Sequence, residues 1–169
     1  MPSSSCPMGR PKLLLLFGQF SLTSVFSFSF PRTLSIKSQE INTEHKDSND
    51  FYMTHMLFNI EFDQCHSTFY KDYKIILDKL KAKSLMRMKI NLYPRTENIE
   101  VHEQHYDYDY EHKGCLFSFN TCNGGTILED GTKIDSVANR ALLFDPSKLH
   151  SSTSCTDDKV RLNMNINYF

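Results

Sequence analysis

His105 and Asp107 place an imidazole and a carboxylate two residues apart in the C-terminal half of the chain. Residues two apart on a β-strand point to the same face, so these two side chains are expected to point together. One further histidine would complete two imidazoles and one carboxylate, the set that suits non-haem Fe(II). A late histidine, His150, follows the turn Asp145-Pro146, and antiparallel folding can bring it against the first pair. A solvated strand face is the alternative interpretation of His105 and Asp107.

Further ionisable residues surround this pair and leave the choice of ligands open. They are His102, Glu103, Asp109, Glu111 and His112. Asp109 has the same strand parity as Asp107, so a register error would exchange them, whereas His102 has the opposite parity to His105. We therefore prefer His105 and Asp107. The run His-Glu-Gln-His is not a zinc-protease motif, which requires two histidines four apart on a helix.

A second candidate for chemistry is Arg161, which residues 151–160 separate from His150. It lies in an alternating stretch whose apolar positions are Val160, Leu162, Met164 and Ile166 and whose polar positions are Arg161, Asn163, Asn165 and Asn167. The polar positions are either a solvated strand face or the polar interior of a barrel. In the second case Arg161 could bind a carboxylate through two parallel hydrogen bonds.

The elements that must position these residues are mostly short strands. Strands are predicted over 51–62, 85–93, 100–108, 114–119, 125–128, 140–144 and 159–168, with a helix over 67–83 that begins at the N-cap Ser67. In the 85–93 strand, Met86, Met88, Ile90 and Leu92 alternate with Arg87, Lys89 and Asn91, which is typical of a half-buried strand. One helix and many strands predict a mainly β sandwich or open barrel.

The C-terminal stretch resembles a known superfamily. The sequence NTCNGGTILEDGTKIDSVANRALLFDPSKLHSSTSCTDDKVRLNMNINYF is similar to the small prolyl-4-hydroxylase-like enzymes, common in marine phages, of the Fe(II)- and 2-oxoglutarate-dependent dioxygenases. The resemblance is carried by T-x-x-E-D-G-T-K-I, S-V-A-N-R and H-x-x-T-x-C-T-D, together with H-x-D, the distal histidine and the basic residue after it. It covers roughly residues 51–169.

The resemblance implies a fold and a site. The fold is a double-stranded β-helix, or jelly roll, with one or two flanking helices. His105, Asp107 and His150 would bind the iron, and Arg161 would bind the distal carboxylate of 2-oxoglutarate. Tyr93 would add a hydrogen bond to the co-substrate site, unless it is an aromatic residue at the rim of the core. Oxygen is the other co-substrate, and ascorbate is a candidate reductant.

The implied activity is hydroxylation with release of succinate and CO2. The substrate is not identified: a prolyl residue in a peptide follows from the resemblance, and a nucleobase or a free small molecule stays open. One rival is a catalytically inactive metal- or ligand-binding domain of the same fold. A second rival is a zinc-binding, cupin-like hydrolase.

Residues 1–39 differ from the rest because they contain no acidic residue. Arg10 and Lys12 precede the run Leu13-Leu14-Leu15-Leu16-Phe17, which is typical of a secretory or organelle-targeting segment. A membrane span is disfavoured because polar residues interrupt the run, and an untranslated extension is a third interpretation. We divide the chain into this leader, a polar linker at 40–50 and a dioxygenase domain at 51–169. Without targeting, the protein would be cytoplasmic.

Charge and cysteine content add two exclusions. Nineteen basic and 20 acidic residues give a net charge of −1, so no strong field favours nucleic acid. The five cysteines are odd in number and form no C-x-x-C pair, which argues against a disulfide framework or a zinc ribbon. They are predicted to be small buried hydrophobic residues.

Overall fold

Antiparallel strands are the main regular elements of this computed structural model, which describes residues 11–15, 35–38, 51–62, 64–65 and 67–169. In chain order the strands are β1 (Lys12–Leu15), β2 (Ser35–Ser38), β3 (Phe51–Asn59), β4 (Gln64–Cys65), β5 (Leu85–Pro94), β6 (Lys113–Ser118), β7 (Cys122–Leu128), β8 (Lys133–Ser136), β9 (Arg140–Phe144), β10 (His150–Ser152) and β11 (Val160–Tyr168). Short 3-10 helices span Ile60–Phe62 and Thr68–Tyr73, and the second continues into α1 (Lys74–Leu80).

The strands form two antiparallel sheets. The larger has the order β1-β9-β6-β11-β5-β3-β2, with β4 also paired to β3, and the smaller has the order β10-β7-β8. A small apolar cluster joins the sheets, because Leu116 and Leu142 of the larger sheet pack against Leu128 of the smaller one. The fold is therefore mainly β and of the double-stranded β-helix type, as the sequence predicts.

The main apolar core lies on the outer side of the larger sheet, where α1 covers it. Ile76 and Leu77 of α1 belong to the same buried cluster as Met164 and Ile166 of β11. The apolar positions of the alternating β11 sequence thus pack towards the helix. Ser67 caps the helical segment as predicted, since its side chain accepts a hydrogen bond from the backbone N–H of Phe69.

The other face of β11 is polar and is also buried. Arg161, Asn163, Asn165 and Asn167 are all buried, and Arg161 is only 1% exposed. The interpretation of these positions as a solvated strand face is therefore wrong. The two sheets enclose a polar interior, which is where a charged ligand can be held away from bulk water.

Three element predictions are corrected. Residues 100–108 do not form a continuous strand: Val101 and His105 make isolated bridges only. The predicted helix over 67–83 is a 3-10 helix followed by α1, which ends at Leu80 because the next residue, Lys81, is in a left-handed conformation. The strands β8 and β10 were not predicted, because each has only three or four residues and no apolar alternation.

Two short strands from the proposed leader lie at the edges of the larger sheet. β1 pairs with β9, and β2 pairs with β3. The rest of residues 1–50, including the 40–50 linker, lies outside the described residues. Targeting through residues 1–39, and the division at 39, stay predictions. Every helix within the described ranges is too short or too polar to cross a membrane.

Removing the leader should leave a folded domain. The two core clusters of the described residues are formed between Leu57 and Tyr168, whereas Leu13 and Leu14 of β1 are exposed. A chain beginning at Asn49 should therefore unfold cooperatively, with a lower melting temperature than the full chain because two edge strands are lost. Thermal unfolding followed by circular dichroism measures this. Loss of the cooperative transition would show that the leader is part of the domain.

Candidate metal centre

A reciprocal pair of backbone hydrogen bonds brings two histidines together. The N–H of His105 donates to the carbonyl of His150 at 2.9 Å, and the N–H of His150 donates to the carbonyl of His105 at 2.9 Å. Directly opposed residues in an antiparallel bridge project their side chains to the same side. The two imidazole rings accordingly lie with their centroids 4.6 Å apart.

Asp107 joins the two histidines through a different backbone contact. Its N–H donates to the carbonyl of Pro146 at 2.8 Å, which holds the 105–107 segment along the chain that precedes β10. One ligand atom from each of His105, Asp107 and His150 lies within 4.8 Å of the others. Ligands of one octahedral ion lie about 3 Å apart, so small side-chain adjustments would complete the geometry. The three residues predicted from sequence therefore converge, although not through strand parity.

Asp109 and His102 lie outside this three-residue cluster. Asp109 is exposed, so the alternative pairing by a shift of register is not adopted in this structure. His102 is buried against Tyr93 and Tyr52, with ring centroids 5.2 and 5.9 Å away. Neither residue is part of the three-residue cluster.

Backbone carbonyls set the hydrogen-bonding state of both imidazoles. Nδ1 of His150 lies 2.9 Å from the carbonyl of Lys148, and Nδ1 of His105 lies 3.3 Å from the carbonyl of Glu103. Each contact places a proton on Nδ1, so that in a neutral ring Nε2 carries the lone pair with which imidazole binds a metal. Burial also lowers the pKa of His150, which favours the neutral ring.

Asp107 is a buried carboxylate that positive charge keeps ionised. Its side chain is 2% exposed; Oδ1 accepts a hydrogen bond from Arg87 at 2.5 Å and Oδ2 accepts one from Asn165 at 3.1 Å. Burial alone would raise the pKa of Asp107, but the charges of Arg87 and Lys89 hold that pKa at about 2. An anionic oxygen donor is thus present beside the two imidazoles at neutral pH.

Replacing Arg87 with Met should lower the free energy of unfolding of the metal-free protein by up to about 2 kcal/mol. That is the value of a pKa lowered from 3.8 to about 2, at 1.36 kcal/mol per unit. Because the folded-state pKa is depressed, this stabilisation is present above about pH 4 and is lost as the pH falls through 2. Urea unfolding at several pH values measures it.

The control is Arg95→Met, at an exposed arginine, which should change stability little. A difference between Arg87→Met and wild type that persists unchanged at pH 2 would contradict the ion-pair explanation.

The cluster opens into a cleft of about 420 Å3, including solvent at its mouth. Its lining residues are Tyr52, Lys89, Asn91, Tyr93, His102, His105, Leu116, Thr126, Phe144, His150, Ser152 and Asn165. Lys89 and Asn91 belong to the polar face of β5, which the sequence had suggested was solvent-facing, and Tyr93 shares that face. That face lies instead inside the barrel, so Lys89 places a positive charge in the cleft beside the candidate metal ligands.

Arg161 lies behind this cleft, where Thr126 and Thr153 hold its guanidinium group. Its guanidinium donates to Oγ1 of Thr126 and to the carbonyl of Thr153, both at 3.0 Å, and stacks over the ring of Tyr93 at 5.1 Å. Arg161 also lines a smaller adjoining cavity of about 230 Å3 that shares Thr126 with the cleft.

No carboxylate among the described residues pairs with Arg161. Its Nε is buried and has no acceptor within the described part of the chain. A buried cation without an anion is costly, so this arrangement suits an anionic ligand.

Tyr93 lies between the cleft and the guanidinium of Arg161. It is buried, its hydroxyl donates to Oγ of Ser152 at 3.1 Å, and its ring stacks on Tyr52 with centroids 5.2 Å apart. Burial raises the pKa of this hydroxyl, and the nearby positive charge of Arg161 opposes that rise. Tyr93 therefore lines the cleft beside Arg161 and is not a rim residue, while its role toward a co-substrate stays a prediction.

Comparison with known proteins yields only structural matches. No protein-family model matches the chain, and no curated protein sequence matches it. A 2OG-Fe(II) oxygenase family oxidoreductase from Burkholderia pseudomallei is similar in structure, with TM-score 0.59 and 10% identity, over 94% of this chain and 84% of that one.

Two further structures share the fold. A viral collagen prolyl hydroxylase from Paramecium bursaria Chlorella virus-1, in a 2OG complex, has TM-score 0.52 and 11% identity over 69% of this chain and 77% of its own. The non-haem α-ketoglutarate-dependent epimerase SnoN from nogalamycin biosynthesis has TM-score 0.50 and 11% identity over 70% of this chain and 61% of its own. These structures confirm that the chain has the fold of the oxygenases that its sequence resembles.

Proposed function

We propose that this protein is an Fe(II)- and 2-oxoglutarate-dependent dioxygenase. His105, Asp107 and His150 would hold the iron, and Arg161 would hold the distal carboxylate of 2-oxoglutarate. The observation that carries the proposal is the neighbourhood of these groups: two imidazoles that line the cleft, one anionic carboxylate clustered with them, and behind the cleft a buried guanidinium without an acidic partner among the described residues. This donor set suits non-haem Fe(II), and the fold is one that such oxygenases have.

The protein's own residues would bind the iron and fix the orientation of its ligands. His105 and His150 are fixed by their backbone bridge, and Asp107 is fixed by Arg87 and Asn165. A bound iron with 2-oxoglutarate and oxygen supplies the oxidative step, in which the co-substrate becomes succinate and CO2 and a substrate C–H bond is hydroxylated. Ascorbate as a reductant stays a prediction.

Charge in the cleft favours a dianionic co-substrate. Lys89 lines the cleft beside the metal ligands, and Arg161 lies behind Thr126 and Tyr93. Burial strengthens the attraction between the guanidinium and a carboxylate because little water screens it. Tyr93 and Ser152 add hydroxyl groups that could donate hydrogen bonds to the same ligand.

For the substrate class we propose a peptide with a prolyl residue. The supporting facts are the similarity in fold to a viral collagen prolyl hydroxylase and two exposed tyrosines, Tyr106 and Tyr110, close in sequence to the metal ligands. Exposed aromatic rings could pack against the ring of a prolyl residue. A free small molecule or a nucleobase is the alternative.

The test is conversion of 2-oxoglutarate to succinate by the purified full-length protein, without any added substrate. The proposal predicts succinate formation that requires Fe(II) and oxygen and stops when His150 is replaced by Ala. An inactive binding domain of the same fold would bind 2-oxoglutarate and form no succinate. A zinc hydrolase would act with zinc and be indifferent to 2-oxoglutarate.

A further inference from the structure

A second group of metal-binding side chains lies away from the His105 cluster. It consists of Cys122, the first residue of β7, with Cys155 and Asp157 in the chain that follows β10. One ligand atom from each lies within 4.8 Å of the others. The antiparallel pairing of β10 with β7 brings these distant residues together, so the absence of a C-x-x-C motif did not exclude a cluster.

We propose that Cys122, Cys155 and Asp157 form a second metal site, for a divalent cation of the zinc class. Two thiolates and a carboxylate are ligands that zinc accepts in a tetrahedral arrangement, whereas magnesium and calcium prefer oxygen alone. Both cysteines are buried, but Asp157 is exposed. The exposed side offers a path of entry and room for water as the fourth ligand.

The local structure brings the ligands together before any ion binds. Both carboxylate oxygens of Asp157 accept the backbone N–H of Asn123, at 2.9 and 3.0 Å. The side chain of Asn123 in turn exchanges hydrogen bonds with the backbone and side chain of Thr156. These contacts bind the start of β7 to the 155–157 segment, so little ordering is needed on metal binding.

The surroundings compensate the charge of such a complex. Two thiolates and one carboxylate around a divalent cation leave one net negative charge, and Arg161 lies near enough to both thiols to interact with their charges. Burial raises the pKa of Cys155 to about 11, so the cation must displace protons from the thiols. Binding should accordingly weaken as the pH falls.

A metal ion at this position would stabilise one wall of the cleft. It would join β7 to the chain after β10, and these two segments supply both acceptors of Arg161, Oγ1 of Thr126 and the carbonyl of Thr153. The two segments approach closely at Gly124, because a Cβ added at this residue would meet the carbonyl of Ser154 and Cδ of Arg161. The proposed ion is therefore a structural one that stabilises the surroundings of Arg161.

The experiment is a titration of the metal-free full-length protein with cadmium(II), followed by the ultraviolet absorption of sulfur–metal charge transfer. The His105 cluster contains no sulfur, so the band cannot come from that cluster, and the cysteine variants assign it among the five thiols of the chain. We expect a saturating band that survives His105→Ala and disappears in Cys155→Ser. Cys115→Ser, at a buried cysteine of the main core, should keep the band.

A second variant does not depend on the buried thiols. Asp157→Asn can still accept the N–H of Asn123 but loses an anionic ligand, and should weaken zinc binding at least about tenfold. Its control is Asp130→Asn, whose exposed carboxylate likewise accepts a backbone N–H, that of Thr132. The proposal is overturned by absence of the band, by its survival in Cys155→Ser, or by equal zinc affinity in Asp157→Asn and wild type. None of these outcomes affects the proposed oxygenase site.

Discussion

Asp107→Asn should lower the affinity of the protein for Fe(II) by more than about 100-fold and abolish succinate formation. Loss of an outer partner of a metal ligand already costs 10–100-fold in affinity, and this variant removes the only anionic ligand of the proposed centre. The substitution also leaves the positive charges of Arg87 and Lys89 uncompensated beside the ion. Competition with a chromogenic chelator under anaerobic conditions measures the affinity.

The matched control is Asp109→Asn, two residues further along the same segment. Asp109 is exposed and outside the cluster, so this variant should bind Fe(II) as wild type does. In Asp107→Asn the new side-chain amide can still accept a hydrogen bond from Arg87, and circular dichroism should show that the variant is folded. If Asp109→Asn loses iron and Asp107→Asn keeps it, the assignment of the carboxylate ligand is wrong.

Arg161→Met should weaken 2-oxoglutarate binding by about 10–150-fold, the equivalent of about 1.5–3 kcal/mol for hydrogen bonds to a charged group. Fe(II) affinity should change little, because Arg161 is not a member of the metal-binding cluster. Arg161→Lys keeps the charge but loses the planar pair of donors, so its affinity should lie between those of wild type and Arg161→Met. Anaerobic calorimetric titration of the Fe(II)-loaded protein gives these affinities.

Arg95→Met controls for the loss of one positive charge, because Arg95 is exposed at the end of the cleft-lining strand. It should bind 2-oxoglutarate as wild type does. Loss of activity in Arg161→Met could also follow from unfolding, so the melting temperature of this variant is measured beside its affinity. Equal 2-oxoglutarate affinity in a folded Arg161→Met protein would remove Arg161 from the co-substrate site.

The alternation of the last strand was the most informative pattern in the sequence. Val160, Leu162, Met164 and Ile166 predicted one apolar face, and Met164 and Ile166 of that face pack under α1. Alternation alone cannot tell whether the polar face meets water or a polar interior, because both give the same period of two. The resemblance to oxygenases, rather than the period, favoured the interior, and the burial of Arg161 agrees with it.

The polar face of β5 shows the limit of the same pattern. Arg87 and Lys89 were assigned to a half-buried strand, yet Arg87 pairs with Asp107 and Lys89 lines the cleft. Asn91 and Tyr93 share their parity, and β5 lies directly beside β11. Pairing of these two strands could not be deduced from either sequence separately, since register is set by contacts between strands.

The candidate metal-binding residues were predicted for a reason that the structure does not support. His105 and Asp107 do not lie on a regular strand; the first is held by a bridge to His150 and the second by the carbonyl of Pro146. Such isolated contacts leave no periodic signal in the sequence. The short strand β10, which positions His150, was missed for the same reason.

The most direct test of the proposed centre is anaerobic titration of 2-oxoglutarate into the Fe(II)-loaded protein, followed by the visible charge-transfer absorption of the iron–2-oxoglutarate chelate. It requires no knowledge of the substrate. We predict a saturable band with Fe(II), no band with zinc, and no band in His150→Ala. Absence of the band in a folded protein that has bound Fe(II) would contradict the assignment of 2-oxoglutarate as co-substrate.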